Sequence, residues 1–89
     1  MASVIRAVRS GDLKLLDAET RKPGFCINAF ASGGRTPLHH AIDAGRIEMC
    51  KNLIQKGADV DLEDEAECTP LYIAVLKENR KMIEFLLEQ

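Results

Sequence analysis

A nine-residue segment occurs twice in this chain, 33 residues apart. Gly34-Arg35-Thr36-Pro37-Leu38-His39-His40-Ala41-Ile42 aligns with Glu67-Cys68-Thr69-Pro70-Leu71-Tyr72-Ile73-Ala74-Val75, and Gly24 with Gly57 and Asn28 with Asp61 keep the same offset. Self-similarity at a period of roughly 20–50 residues restricts a chain to repeat architectures, in which each unit is laid against the next.

The residues inside the period describe the unit. Thr36 and Thr69 are placed to cap a helix with their hydroxyls, and Pro37 and Pro70 fill the first turn, where a missing N–H costs nothing. Leu38, Ala41 and Ile42 then fall at i, i+3 and i+4, as do Leu71, Ala74 and Val75, which gives each first helix one apolar stripe. Gly45 supplies a left-handed residue for the reversal into a second helix. That helix carries Met49, Cys50, Leu53 and Ile54 on one face, and its successor carries Met82, Ile83, Leu86 and Leu87. Ala58-Asp59-Val60-Asp61 then leads out into a hairpin-like loop. No such pair of helices hides its own apolar face, so neighbours must stack.

A weaker third copy stands in front. Ala7-Val8-Arg9-Ser10-Gly11-Asp12-Leu13-Lys14-Leu15 resembles Ala41-Ile42-Asp43-Ala44-Gly45-Arg46-Ile47-Glu48-Met49 at an offset of 34, with the extra residue in the Glu19–Pro23 stretch. It lacks Thr-Pro and carries Arg6 and Arg9 on its first helix, as suits a unit with one face in water. The sequence therefore divides into a degenerate capping unit at 1–31, a complete repeat at 32–64 and a partial repeat at 65–89.

Composition excludes several functions. Eighty-nine residues make one small domain, 46% apolar and 29% charged, as in folded soluble proteins. The net charge of −2 gives no general affinity for nucleic acid. No run approaches the ~18 apolar residues that span a bilayer, and Arg6, Arg9 and Asp12 break any signal-peptide pattern. Cys26, Cys50 and Cys68 are odd in number and form no C-x-x-C, which points to a reducing compartment, cytoplasmic or nuclear.

Thr36-Pro37-Leu38-His39-His40-Ala41 resembles the T-P-L-H-x-A signature of ankyrin repeats, whose period is also 33. Residues 24–87 are similar to that family throughout. The resemblance implies an all-α ankyrin stack of about three units, and a protein-binding adaptor or scaffold with neither catalytic residues nor a cofactor. Its partner would lie on the hairpin tips and on the concave face of the first helices. The departures carry expectations of their own. Glu67 stands where Gly34 stands, so the second hairpin is expected to turn differently. Glu78 replaces Gly45, leaving Asn79 to take up the helix reversal. Tyr72 replaces His39, so the bond made by that imidazole is lost or altered.

Carrying the family's contact positions over gives Ser32, Gly33 and Arg35 at one tip, with Asp43 and Ala44 at the end of the helix behind it. The next tip gives Glu65, Ala66 and Cys68, with Leu76 and Lys77 below, and His40 and Ile73 point toward the same groove. Convex and edge surfaces are the alternatives. Asp59, Asp61, Glu63, Asp64, Glu65 and Glu67 also place six carboxylates within nine residues. Projected together they would attract a basic segment of a partner, with strong salt dependence. The other reading is a solvated loop in which Asp59, Asp61 and Asp64 serve the turn. The order lacks the mid-loop Gly of an EF-hand. His39, His40, Cys50 and Cys68 fit no zinc spacing, and adjacent His39 and His40 point to different faces of a helix. Cys68, beside carboxylates, is expected to be a sluggish thiol with a raised pKa.

The C-terminal edge is unexpectedly apolar. Aligned at 33, Ile73 replaces His40, Leu76 replaces Asp43 and Phe85 replaces Asn52, while Arg80 for Ile47 runs the other way. The edge is therefore expected to be covered, by further repeats, a partner or a second copy in a homodimer. The alternative to a free-standing adaptor is an N-terminal regulatory segment of a larger signalling protein, enzyme or channel, docking in cis.

Overall fold

The computed structural model describes residues 2–89, without the side chain of Ser32. Six α-helices follow one another in antiparallel pairs: α1 (Ala2–Ser10) with α2 (Leu13–Thr20), α3 (Pro37–Asp43) with α4 (Ile47–Gln55), and α5 (Pro70–Leu76) with α6 (Arg80–Leu87). The first helices form a row, α1 against α3 and α3 against α5. Among the described residues there is no strand. The hairpin-like loops are held instead by single backbone bonds at matching positions, Ala31 N–H to the Arg35 carbonyl (2.7 Å) and Asp64 N–H to the Cys68 carbonyl (3.0 Å).

The predicted caps form. Thr69 Oγ1 accepts from Tyr72 N–H at 3.2 Å, and Thr36 Oγ1 takes the weaker bond from His39 N–H at 3.5 Å. In the second helices Asp12 Oδ1 accepts from Leu15 N–H (3.0 Å) and Asn79 Oδ1 from Met82 N–H (3.1 Å). The equivalent residue in the middle unit, Arg46, makes no cap bond and reaches back to donate to the Arg9 carbonyl at 3.1 Å. The middle repeat gives up a cap to hold the end of α1.

The apolar stripes meet in one core. Val4, Ala7 and Val8 of α1, Leu16 of α2, Leu38, Ala41 and Ile42 of α3, Met49, Cys50 and Leu53 of α4, Ile73 and Ala74 of α5, and Met82 and Leu86 of α6 are all buried. Leu71 is only half-buried, packed against this core from outside it. Cys50 lies 3.8 Å from Met82 Sδ, and burial pushes its thiol up to about 12. It is a core residue and inert.

Two departures are resolved by backbone conformation. The hairpin turns share the same i→i+3 bond, Gly34 N–H to Ala31 and Glu67 N–H to Asp64. They differ one residue earlier, as expected: Gly33 has φ 77 and ψ 10, as a type II turn requires, whereas Ala66 is not left-handed. Glu67 nevertheless keeps the left-handed conformation of Gly34, at φ 61 against 70. The helix reversal corrects the sequence reading. Glu78, not Asn79, takes the left-handed place of Gly45 (φ 54 against 73), and Asn79, at φ −88, is free to cap α6. An L side chain in that region costs about 1–2 kcal/mol. Glu78→Gly should therefore raise the unfolding free energy by about 0.5–1 kcal/mol after the entropic cost of glycine, with Glu78→Ala near neutral. Urea midpoints test this, and a loss on Glu78→Gly would contradict it.

Candidate binding surface

The row of first helices and the two hairpins beside it form one side of the stack. His40 emerges from α3 half-buried, and Asp43 and Ala44 close that helix, also half-buried. Leu76 and Lys77 close α5 and are exposed. At the tips Gly33, Glu63, Glu65, Ala66 and Glu67 are exposed, and Arg35 and Cys68 are half-buried. Ser32 is in the first tip, but its side chain lies outside the described residues. Of the residues assigned to the surface by sequence, the structure moves two into the interior. Ile73 is 2% exposed and belongs to the core, and Asp64 is 8% exposed.

Asp64 belongs to the turn rather than to a display of charge. Its Oδ1 accepts from Ala66 N–H (2.8 Å) and Cys68 N–H (3.0 Å), and its Oδ2 accepts from Arg35 Nε at 3.3 Å. The first hairpin has Ala31 at this position and makes its turn with two glycines. The second has no glycine and uses a carboxylate to gather its amides. Asp59 plays a similar local part, accepting from Asp61 N–H at 2.9 Å. Of the acidic run only Asp64 is buried; Asp59, Asp61, Glu63, Glu65 and Glu67 stay exposed.

His39 shows why the signature has an imidazole. Thr36 N–H donates to His39 Nδ1 at 3.1 Å, so Nδ1 accepts and the ring hydrogen lies on Nε2. Nε2 then donates to the Cys68 carbonyl at 3.1 Å, tying the middle repeat to the next hairpin. Glu65 N–H donates to the Gly33 carbonyl (3.0 Å), joining the two tips. On the opposite side Asn28 Oδ1 accepts from Asp59 N–H at 2.8 Å.

Charge in the groove centres on Asp43. Arg9 Nη1 approaches Oδ2 at 3.2 Å, Lys77 Nζ approaches Oδ1 at 3.1 Å, and Arg35 Nη1 lies 3.9 Å away. Burial alone would raise the Asp43 pKa, but Lys77 and Arg9, with Arg35, hold it below the ordinary 3.8. Asp64 is depressed likewise: burial opposes, and the Cys68 and Ala66 amides and Arg35 outweigh it. Partial burial, then the Asp64 carboxylate, pushes the Cys68 thiol up.

Sequence reasoning missed two participants. Arg9 was assigned to a water-facing cap, yet its alignment with Asp43 at an offset of 34 set opposite charges side by side. Phe30 is 61% exposed and flanks a shallow depression with Ala31, Gly34, Glu63 and Glu65. It stands 33 residues before Glu63, an aromatic where the next unit has a charge.

A prediction follows from the depressed carboxylates. Below pH 3.8 the unfolded chain takes up protons that folded Asp43 and Asp64 refuse, so stability present above that pH is lost as pH falls through the folded values. Asp64→Ala should cost about 2–4 kcal/mol at neutral pH and flatten this acid limb. Glu63→Ala should stay within about 0.5 kcal/mol. Urea unfolding from pH 7 to pH 2 measures both, and equal stability of the two variants would remove Asp64 from the turn.

Comparison with known proteins gives the same assignment. A family model described as ankyrin repeats, three copies, matches residues 4–89. A putative ankyrin repeat protein of fowlpox virus, FPV223, is 43% identical over 56 residues, 63% of this chain and 40% of that protein. Human transient receptor potential cation channel subfamily A member 1 is 32% identical over 83 residues, 92% of this chain and 7% of the channel. A chain in the solved complex of the predatory endopeptidase Bd0816 from Bdellovibrio bacteriovorus with immunity protein Bd3460 superposes with a TM-score of 0.88 at 26% identity, over 99% of this chain and 46% of that one. The chain thus spans less than half the length of each. With a matching family model, a 33-residue signature and three stacked helix pairs, the chain belongs to the ankyrin repeat family.

Proposed function

We propose that the chain is a non-catalytic adaptor that holds a partner protein against its hairpin tips and the groove of its first helices. Ankyrin repeats are protein-interaction modules, and this chain carries three copies. The observation that carries the reading is the division of labour among polar residues. His39, Asn28 and Asp64 are spent on joining and turning the repeats, while the side chains of Glu63, Glu65, Glu67, Phe30 and Leu76 are exposed and make no hydrogen bond or ion pair among the described residues.

The tip is suited to a basic segment. Exposed Glu63 and Glu65 share a depression with the exposed Phe30 ring, and a lysine or arginine side chain would gain from both the charge and the ring face. Capture from cell extract by the whole chain, compared with Glu63→Gln/Glu65→Gln/Glu67→Gln, tests this. The triple variant should lose basic partners, more so at low salt, and identical capture by both would eliminate the tip.

The C-terminal edge supports a second contact. Tyr72 and Val75 are each 51% exposed, whereas their equivalents in the middle repeat, His39 and Ile42, are at 0% and 1% beneath α5 and its hairpin. Leu76 and Leu87 widen the apolar area. We place a second copy, a further repeat or a partner on it. Docking in cis within a larger protein is the second reading, favoured by the small share of the human channel that this chain spans. Sedimentation at micromolar concentration should show association weakened by Val75→Glu, and a monomer in both cases would exclude the second copy. Cys26, Cys50 and Cys68, all free, suit a reducing intracellular compartment.

A further inference from the structure

Of the groove cations only Arg35 pairs with the acidic hairpin, through Asp64, and the arrangement of the cations has a direction. Asp43 is at the base, its side chain 18% exposed, and Asp64 is deeper still. The cationic heads that close on them form the rim, with Arg9 and Lys77 each about half in solvent (48% and 51%) and Arg35 less so. Formal charge is nearly balanced, but the side presented to a partner is positive. His40 senses the same field. Burial, then Arg35 and Arg9, hold it below its ordinary value, and Asp43 is outweighed.

Most of the donors on the rim are unspent. The Arg9 guanidinium carries five N–H groups and the Lys77 ammonium three; Arg9 turns only Nη1 toward Asp43 and His40, and Lys77 approaches Asp43. These two cations flank Asp43 from opposite oxygens, one from the end of α1 and one from the end of α5. Beside Lys77 the surface changes character: Leu76, largely exposed, occupies the place that Asp43 holds one repeat earlier. The groove therefore runs from Arg9 of α1, across the rim, to an apolar end on α5.

We propose that this groove receives an extended acidic segment of a partner protein, its carboxylates bridging Arg9, Arg35 and Lys77 and an apolar side chain settling on Leu76. The proposal rests on the groove being a partner surface and adds the chemistry of what it takes. Spacing follows from geometry. Neighbouring helix axes lie about 8–10 Å apart, and an extended chain advances about 3.3 Å per residue. Every third residue of the segment thus reaches a new first helix, giving the order acid-x-x-acid-x-x-apolar.

The test is a proton–nitrogen NMR titration of the whole chain with a peptide of the sequence Glu-Gly-Ser-Glu-Gly-Ser-Leu, and with its Lys-for-Glu counterpart. The acidic peptide should shift the amides of Arg9, His40, Asp43, Ala44 and Lys77, weaken as salt is raised, and bind at least tenfold more weakly to Arg9→Ala and to Lys77→Ala. Circular dichroism checks that both variants fold, and Arg9→Lys and Lys77→Arg should retain binding if they do not. If the acidic peptide shifts no groove amide, or shifts only the edge or the tip, the proposal fails. If the basic peptide alone binds, at Glu63, Glu65 and Glu67, this proposal falls while the adaptor reading stands. If neither peptide perturbs groove or tip, both fall.

Discussion

Helix pairs that cannot hide their own apolar faces must share them, and the rest of this molecule follows from that constraint. The middle repeat is covered on both sides, and its Leu38, Ala41, Cys50 and Leu53 reach zero exposure. Each of the two leucines contributes about 1.5–3 kcal/mol relative to leaving it in water. Ala41 and Ala74 have little area to bury. They matter because a small side chain lets adjacent first helices approach, so that larger neighbours interlock.

Oily contact alone does not set one repeat's position against the next. Directional bonds do that at three levels: Asn28 to Asp59 at the back, His39 to the Cys68 carbonyl in the middle, and Gly33 to Glu65 at the tips. The charges of the groove extend the series, since Arg9, Asp43 and Lys77 come from three successive units. The same residues therefore register the stack and dispose its surface charge. That coupling leaves an acidic tip beside a groove whose rim carries Arg9 and Lys77.

Most of the fold was legible because the repeat states each device twice. Thr-Pro at the helix starts and the i, i+3, i+4 stripes lie where the 33-residue offset puts them, and the left-handed positions of Gly34 and Gly45 recur at Glu67 and Glu78. The failures occur where the copies differ. Asn79 was expected to reverse the chain on propensity, but an N-cap bond was available to it and to no other nearby residue, so Glu78 bears the backbone strain. The surface was less legible. Asp64 could be read from sequence either as displayed charge or as a residue serving the turn, and its bonds to the Ala66 and Cys68 amides decide for the turn. Ile73 was placed by analogy with His40, yet an isoleucine at that position gains more from the interior. Arg9 and Phe30 were legible in principle, as mismatches between aligned units, because a mismatch at a surface position marks what one repeat does differently from its neighbour.

The most direct test of pooled burial is native-state amide hydrogen exchange along the whole chain. Shared faces require protection to peak in α3 and α4, which are covered on both sides, and to decline toward α1 and toward α5 and α6. Equal protection in all three helix pairs, or a maximum in α5 and α6, would show that each pair is stable by itself and would contradict the account.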